Sequence, residues 1–170
     1  IPGNSSKSIY QIIKSCTLSE SQELKLMNYV VAKKKIFIST PFCKAAVDRL
    51  VKFKVPAFKI GSGECNNLEF IKYVCKFKKP IIMSTGMNAL KDVIPVVNYI
   101  NKKKIPLALM HCTNVYPTPI EKSRLNSIKI MSEVFKNNII GYSDHTVGLY
   151  APFAAISLGA KIIEKHYVDT

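Results

Sequence analysis

The sequence lacks the features that mark membrane proteins, disulfide-rich proteins and disordered proteins. Its apolar runs stay far short of the eighteen or so residues that a membrane span requires. The five cysteines are odd in number and form no Cys-x-x-Cys pair, which fits reduced thiols better than disulfides or a zinc ribbon. No low-complexity tract and no Ser/Gly linker divides the chain. We therefore expect one folded cytoplasmic domain over residues 1–170, with no membrane partner.

Acidic residues are also scarce, with 11 Asp and Glu against 25 Lys and Arg, which gives a net charge of +14. Lysine-rich runs occur at 33–35, 76–79 and 102–104, where helices are expected to end and where positive charge complements the helix dipole. Nucleic-acid binding is the alternative, but the lysines are spread over successive turns and few aromatic residues lie among them. We expect the charge to attract an anionic small substrate rather than a nucleic acid.

Six short apolar runs recur along the chain, and amphipathic segments of helical period alternate with them. Continuous apolar runs of this length are typical of strands buried on both faces of a parallel sheet. The predicted strands are 36–40, 58–62, 81–85, 107–112, 139–143 and 162–166. The predicted helices, the first opened by a capping box at Ser19, begin near residues 19, 46, 67, 88, 125 and 150. This alternation predicts an α/β fold with right-handed crossovers.

Two architectures fit this alternation, an open doubly wound sheet and a closed (β/α)8 barrel of the TIM type. A dinucleotide-binding open sheet concentrates its chemistry at one switch point and carries a glycine fingerprint after its first strand. Here polar residues follow every strand, as expected where all the loops surround one mouth. We therefore predict a TIM-type barrel of which six strands, the third to the eighth, are present, and we expect the first two strands to precede Ile1.

Two neighbouring strand ends carry residues suited to binding an anion. Lys59-Ile-Gly-Ser-Gly-Glu64 places a lysine inside a strand, where burial is unfavourable unless the ammonium group meets an anion. Gly61 and Gly63 would let backbone N–H groups approach that anion, and Ser62 adds a hydroxyl donor. Ser84-Thr-Gly-Met87 repeats the pattern one strand later. These residues favour phosphate binding over the alternative of an ordinary turn followed by a plain helix cap.

The fourth predicted strand leads into a loop with two prolines, His111-Cys-Thr-Asn-Val-Tyr-Pro-Thr-Pro119. Because proline fixes backbone angles, Asn114 and Tyr116 would be held in defined positions. The loop is either structural or in contact with substrate. The density of polar side chains directly after a buried strand favours substrate contact.

The last two strand ends each bring a histidine, in Gly141-Tyr-Ser-Asp-His-Thr146 and Glu164-Lys-His166. Two neutral imidazoles that meet at a barrel mouth, with an open coordination position, suit Mn, Fe, Co or Zn. A single histidine is more often a core or surface residue, but equivalent positions on consecutive strands favour His145 and His166 as a ligand pair. Asp144 or Glu164 could orient an imidazole by accepting a hydrogen bond from it.

Taken in order, and together with Ser39-Thr-Pro-Phe42, these motifs resemble the sialic acid synthase family. The resemblance covers about residues 18 to 170. It implies a (β/α)8 barrel that condenses phosphoenolpyruvate with N-acetylmannosamine, or a close amino sugar, to give N-acetylneuraminic acid and phosphate. It also implies a divalent metal cofactor, usually Mn²⁺.

The resemblance implies a role for each matched residue. The residues that match contacts to the phosphoenolpyruvate phosphate are Lys59, Ser62, Ser84, Asn114 and Ser143, and the match to a carboxylate contact is Thr40. The residues that match positions near the reacting centre and the sugar are Glu64 and Tyr116, so the candidate catalytic residues are Glu64 and Lys59. The matches to the metal ligands are His145 and His166.

The resemblance also implies parts that these 170 residues do not contain. In the family, two earlier strands supply a catalytic glutamate and a second lysine, and a C-terminal antifreeze-like domain reaches into a partner's active site. We expect the whole protein to be a homodimer, and the 170-residue piece alone to be weakly active or inactive. Two alternatives stay open: a synthase of legionaminic or pseudaminic acid, and a non-catalytic barrel that only binds a ligand or partner.

Overall fold

The computed structural model describes residue 6 and residues 8–167, and the chain divides into two compact units, residues 1–37 and 38–170. The first unit contains helices α1 (Ile9–Cys16) and α2 (Glu20–Ala32). Each helix begins with a capping box in which a serine hydroxyl accepts a hydrogen bond from the backbone N–H three residues later. Helix α2 confirms a predicted helix, whereas α1 is an additional one that carries the same Ser-x-x-Gln signal.

The second unit is built on five parallel strands in the order β1-β2-β3-β4-β5. The strands are β1 (Phe58–Ile60), β2 (Ile81–Ser84), β3 (Leu107–Cys112), β4 (Ile139–Asp144) and β5 (Ile163–Lys165). The helices that alternate with them are α3 (Lys44–Lys52), α4 (Leu68–Cys75), α5 (Leu90–Lys102), α6 (Ser127–Val134) and α7 (Tyr150–Ser157). The predicted α/β alternation is therefore confirmed from β1 onward. Among the described residues, no helix is both long and apolar enough to cross a membrane.

The prediction of the first of the six strands, at residues 36–40, is wrong. Residues 36–40 form no strand, and the described sheet has five strands rather than six. Ile36 is 75% exposed and Ile38 is 37% exposed, so this run is not buried on both faces as its apolar pattern suggests. An apolar run does not by itself make a strand, because a strand also requires ladder hydrogen bonds to a neighbour.

The sheet is strongly curled. Lys59 lies on β1 and Glu164 on β5, at opposite ends of the strand order, yet Lys59 Nζ is 3.4 Å from Glu164 Oε1. In a flat sheet, four strand spacings would separate these strands by roughly 19 Å, which is more than the two side chains can bridge. The curvature is that of part of a barrel, which agrees with the predicted architecture. The numbering of the strands within a complete barrel stays a prediction.

The register of the strands gives the sheet two faces of different character, because paired residues share a face and successive residues alternate. Cys112 pairs with Ser143, which pairs with Glu164. The same pairing and alternation place five polar residues on one face: Lys59, Ser84, Cys112, Ser143 and Glu164. We call this the inner face, since Lys59 and Glu164 meet across it. The outer face carries buried apolar side chains, among them Phe58, Ile60, Met83, Leu109 and Ile140.

Strand β4 lies close to both of its neighbours at Gly141. A Cβ atom at this position would lie 2.5 Å from Met110 Sδ and 2.7 Å from the carbonyl oxygen of Ile162. Both distances are shorter than real Cβ contacts, and the second contact is to backbone that cannot rotate away. Position 141 therefore accepts only glycine in this sheet.

Candidate functional site

The predicted strand-borne lysine is buried on the inner face and does meet an anion. Lys59 is 9% exposed, and its Nζ donates a hydrogen bond to Ser84 Oγ at 2.8 Å. The same Nζ forms the ion pair with Glu164, whose Oε1 also accepts a hydrogen bond from Ser143 Oγ at 2.7 Å. A lysine, a carboxylate and two serine hydroxyls from four strands thus meet in one small space.

The ends of β1 and β2 are joined through Ser62 and Gly86. The Gly86 N–H donates to Ser62 Oγ at 3.1 Å, and Asn88 Nδ2 donates to the Ser62 carbonyl at 2.9 Å. The glycine is required, because a Cβ at position 86 would lie 1.9 Å from Asn114 Oδ1 and 2.9 Å from the Cys112 carbonyl. The predicted juxtaposition of the two glycine-containing strand ends is present, and Asn114 lies directly against them.

Cys112 is a member of this site that the sequence analysis did not single out. Its Sγ donates a hydrogen bond to Asn114 Oδ1 at 3.2 Å, which leaves the amide NH₂ of Asn114 to point toward another acceptor. Burial raises the pKa of the Cys112 thiol, so the group stays a neutral donor. Like Ser84 and Ser143, it lies near the end of a predicted strand and on the inner face, and this position is the signal that could have identified it.

The structure gives three further predicted residues, Thr40, Glu64 and Tyr116, contacts of their own. Thr40 lies beside the first glycine turn, since its Cγ2 is 3.7 Å from the position that a Cβ of Gly61 would take. Glu64 is half-buried and accepts a hydrogen bond from Asn67 Nδ2 at 2.7 Å within its own turn. Tyr116 is 63% exposed, and its ring lies 5.2 Å from that of His145.

His145 and His166 lie together, with ring centroids 5.4 Å apart and planes at 69°. Two imidazoles that share one metal ion through bonds of about 2.1 Å have centroids roughly 5 Å apart, so the pair fits this role. His145 Nδ1 is 3.0 Å from the Thr113 carbonyl oxygen, which holds the proton on Nδ1 and leaves Nε2 as the ligand atom. Within the described part of the chain, no group of three or more His, Cys, Asp and Glu residues could hold a metal ion.

The carboxylates that we expected to orient an imidazole have other partners. Glu164 forms an ion pair with Lys59 and accepts a hydrogen bond from Ser143, and Asp144 forms an ion pair with Lys165. The orienting group is instead the Thr113 carbonyl, which the sequence could not reveal because every residue has a backbone carbonyl.

The third histidine has a structural role on the outer face. His111 Nε2 is 2.8 Å from the Ser123 carbonyl oxygen, and its ring stacks on Tyr142 with centroids 5.8 Å apart. Burial lowers the pKa of His111, which favours the neutral imidazole. It therefore does not join the other two histidines.

A cavity of about 650 Å³ opens between the segments that follow β2 and β3. Gly86, Cys112 and Asn114 form part of its wall, and Lys122 and Arg124 add positive charge. The wall also includes His111 of the outer face and none of Lys59, Ser84, Ser143 and Glu164, so this cavity is not the space above the inner-face cluster.

Comparison of the sequence with protein families gives a match over almost the whole chain. The NeuB family matches residues 2–170. The chain belongs to this family. N,N'-diacetyllegionaminic acid synthase of Campylobacter jejuni is 41% identical over 134 residues, which are 77% of this chain and 40% of that protein. An uncharacterised protein of Methanocaldococcus jannaschii is 42% identical over 93% of this chain and 47% of its own length.

A solved structure of the family supports the fold over almost the whole chain. The N-acetylneuraminic acid synthetase of Leptospira borgpetersenii, crystallised with citrate, aligns with a TM-score of 0.92 at 28% identity over 99% of this chain and 59% of that chain. The resemblance to sialic acid synthases is confirmed at the level of the family. The chain spans less than half the length of the two curated relatives.

Proposed function

We propose that the whole protein condenses phosphoenolpyruvate with N-acetylmannosamine, or a close amino sugar, to give N-acetylneuraminic acid and phosphate. The observation that carries the proposal is the convergence of Lys59, Ser84 and Ser143 on the inner face, beside the pair His145 and His166. A cation with several hydroxyl donors suits a phosphate, and a pair of imidazoles suits a divalent metal. Family membership supports the combination.

The phosphate of phosphoenolpyruvate would be held by Lys59, Ser62, Ser84, Asn114 and Ser143. Two of these groups now contact Glu164, which accepts from Ser143 and pairs with Lys59. An incoming phosphate would have to displace the Glu164 carboxylate from these donors, because two anions at this distance repel each other. Thr40, beside the glycine turn, would hold the substrate carboxylate.

His145 and His166 would hold the metal, which we propose to be Mn²⁺. When bound, a divalent ion supplies Lewis acidity toward the carbonyl of the open-chain sugar. In the neutral imidazole of His145, the Thr113 carbonyl accepts the hydrogen bond from Nδ1–H, so the lone pair of Nε2 is the one available to a metal. Tyr116, whose ring is 4.6 Å from that of His166, would contact the sugar there.

In the proposed reaction, C3 of phosphoenolpyruvate forms a bond to the sugar's aldehyde carbon, water adds at C2, and the bond between C2 and the phosphate oxygen breaks. Lys59 and the serine hydroxyls would stabilise the negative charge of the departing phosphate, since they lie where that charge is held. Glu64 is the candidate acid or base near the reacting centre.

A second candidate is a synthase of the legionaminic type, and the 41% identity to the Campylobacter jejuni enzyme favours it. The two candidates share the phosphoenolpyruvate half of the site and differ in the amino sugar. A non-catalytic barrel is the remaining alternative, against which the intact set of Lys59, Ser62, Ser84, His145 and His166 speaks.

The test is phosphate release by the whole protein, assayed with phosphoenolpyruvate and Mn²⁺ and with either N-acetylmannosamine or a diacetamido hexose as acceptor, with the sugar product identified by mass spectrometry. We expect release that depends on one of the two sugars, and the preferred sugar decides between the candidates. Ser84→Ala should reduce release because it removes a phosphate contact. Absence of sugar-dependent release with both acceptors would refute the synthase proposal.

A further inference from the structure

Directly behind the histidine pair, on the outer face of the sheet, lies a buried ion pair. Asp144 closes β4 and Lys165 closes β5, and the two residues are register partners. The Asp144 side chain is fully buried and that of Lys165 is 27% exposed. Lys165 Nζ donates a short hydrogen bond to Asp144 Oδ2.

Further hydrogen bonds hold this pair in place. Tyr142 Oη donates to Asp144 Oδ1 at 3.0 Å, and the Thr146 N–H donates to the same oxygen at 2.9 Å. Lys165 Nζ also donates to the Thr146 carbonyl at 2.8 Å. The backbone of residue 145 is thus fixed from both sides, through Asp144 before it and Thr146 after it.

The position of the pair in the sheet gives it a specific consequence. Strands β4 and β5 end at Asp144 and Lys165, so His145 and His166 are the first residues beyond the paired segment. Because side chains alternate along a strand, the two histidines continue the inner face while the ion pair lies on the outer face. The ion pair is the last side-chain link between the two strands before the histidines.

The energetics of buried ion pairs favour a geometric role over a stabilising one. Removing two charges from water is unfavourable, and well-packed apolar residues often give equal or greater stability at such a position. Hydrogen bonds are directional, so a satisfied network of this kind specifies the relative position of the groups that it joins.

We propose that Asp144 and Lys165 act as positioning residues that hold His145 and His166 at the separation required to bind one metal ion. This inference rests on the proposed metal-binding role of the two histidines. Groups that orient metal ligands without touching the metal commonly change metal affinity about 10- to 100-fold when removed.

The test measures Mn²⁺ affinity of the whole protein by isothermal titration, with the absorption spectrum of bound Co²⁺ as a readout of coordination geometry. Asp144→Asn and Lys165→Met should each weaken Mn²⁺ binding about 10- to 100-fold. Lys165→Arg, which keeps a cation and its donors, should restore most of the affinity. Lys72→Met is the matched control, since Lys72 forms an exposed ion pair with Glu69 far from the site along the chain, and it should change nothing.

A double variant separates positioning from general stability. Asp144→Asn with Lys165→Met leaves no uncompensated charge, so it should unfold at a temperature closer to wild type than either single variant. Its Mn²⁺ affinity should nevertheless stay low and its Co²⁺ spectrum altered. A folded double variant with wild-type affinity and spectrum would overturn the proposal. If the double variant does not fold, Lys165→Gln, measured on folded protein, decides by the same two readouts.

His145→Ala and His166→Ala separate the test of the positioning role from the test of the proposed metal site. If these variants keep wild-type Mn²⁺ affinity, the proposed metal site is wrong. If they lose Mn²⁺ binding while the Asp144 and Lys165 variants keep it, only the positioning role is wrong.

Discussion

Lys59 is the residue on which the candidate site depends most. It is a buried cation whose partners come from β2 and β5, and no other side chain in the cluster carries a positive charge among the described residues. Lys59→Met keeps most of the side-chain length and removes the charge. We expect kcat/KM for phosphate release to fall about 100-fold or more, as when a key charge-stabilising donor is removed.

The control for this variant is Lys72→Met, because the Lys72–Glu69 pair is exposed and such pairs contribute little. Steady-state phosphate release at several phosphoenolpyruvate concentrations checks both variants. Equal kcat/KM for Lys59→Met and wild type would show that the lysine does not contact the phosphate.

Gly86 and Gly63 provide a matched pair for the glycine-containing turns. Gly86→Ala should displace the Asn114 side chain and the Cys112 backbone, because a Cβ there has no space. We expect it to destabilise the protein by about 1–3 kcal/mol and to raise KM for phosphoenolpyruvate. Gly63→Ala should be nearly silent, since nothing lies within 4 Å of its added Cβ. Thermal unfolding and KM measurements compare them, and equal behaviour of the two variants would contradict the packing argument.

The residue types in the sequence indicated many members of the site, but not which side chains contact each other. A lysine in an apolar strand, followed by Ser62, predicted a buried cation that meets an anion; the anion in the structure is the Glu164 carboxylate, and phosphate binding stays a proposal. Histidines at two consecutive strand ends correctly indicated that His145 and His166 lie together. The partner of each group could not be predicted, because it depends on which strand ends the curled sheet brings close. Glu164 meets Lys59 only because of that curvature.

At the scale of elements, the buried Asp144 carboxyl, which links β4 to β5 through Lys165, should make the stability of the fold depend on pH. Burial alone would raise the pKa of the Asp144 carboxyl, but hydrogen bonds from Lys165 and Thr146 outweigh it and lower the pKa. The resulting stabilisation is fully present above the ordinary aspartate pKa of about 3.9, and it is lost as the pH falls through the lower pKa of the folded state.

We therefore expect Asp144→Asn to lower the free energy of unfolding near neutral pH, and the difference from wild type to shrink as the pH falls below about 4. Urea unfolding at a series of pH values checks this. Glu69→Gln is the control, because the Glu69 side chain is 79% exposed and ion pairs on the surface, such as its pair with Lys72, contribute little to stability. A difference between Asp144→Asn and wild type that stays constant down to pH 2 would contradict the expected linkage.

Elements were predicted best where a local signal and burial agree. Helices α2 and α4 are capped at their N-termini by Ser19 and Asn67, whose side chains accept hydrogen bonds from backbone N–H groups. The starts of both helices were predicted from the sequence. The run at 36–40 has the composition of a buried strand, but it is partly exposed and belongs to no strand of the described sheet. The composition of a segment indicates its β-propensity. A strand also requires a neighbouring strand to pair with, and composition does not specify one.

At the scale of the whole molecule, the family resemblance predicts that this 170-residue chain alone releases little or no phosphate from phosphoenolpyruvate and N-acetylmannosamine. The expectation rests on the resemblance, which implies that a complete active site also takes groups from two earlier strands and from a C-terminal domain. The whole protein, assayed under the same conditions, is the control, and size-exclusion chromatography with light scattering tests the expected homodimer. Substantial release by the 170-residue chain would contradict the prediction.

The close approach at Gly141 limits which sequences this sheet can accept. In a saturation mutagenesis library selected for folding, position 141 should keep glycine alone. Shortening Met110 would relieve only one of the two contacts, because the other is to the backbone of Ile162. Tolerance at position 141 therefore cannot be acquired by a single compensating side-chain change. A related chain with a larger residue there must hold its fourth and fifth strands at a different spacing, so the glycine serves as a sequence marker for this sheet geometry.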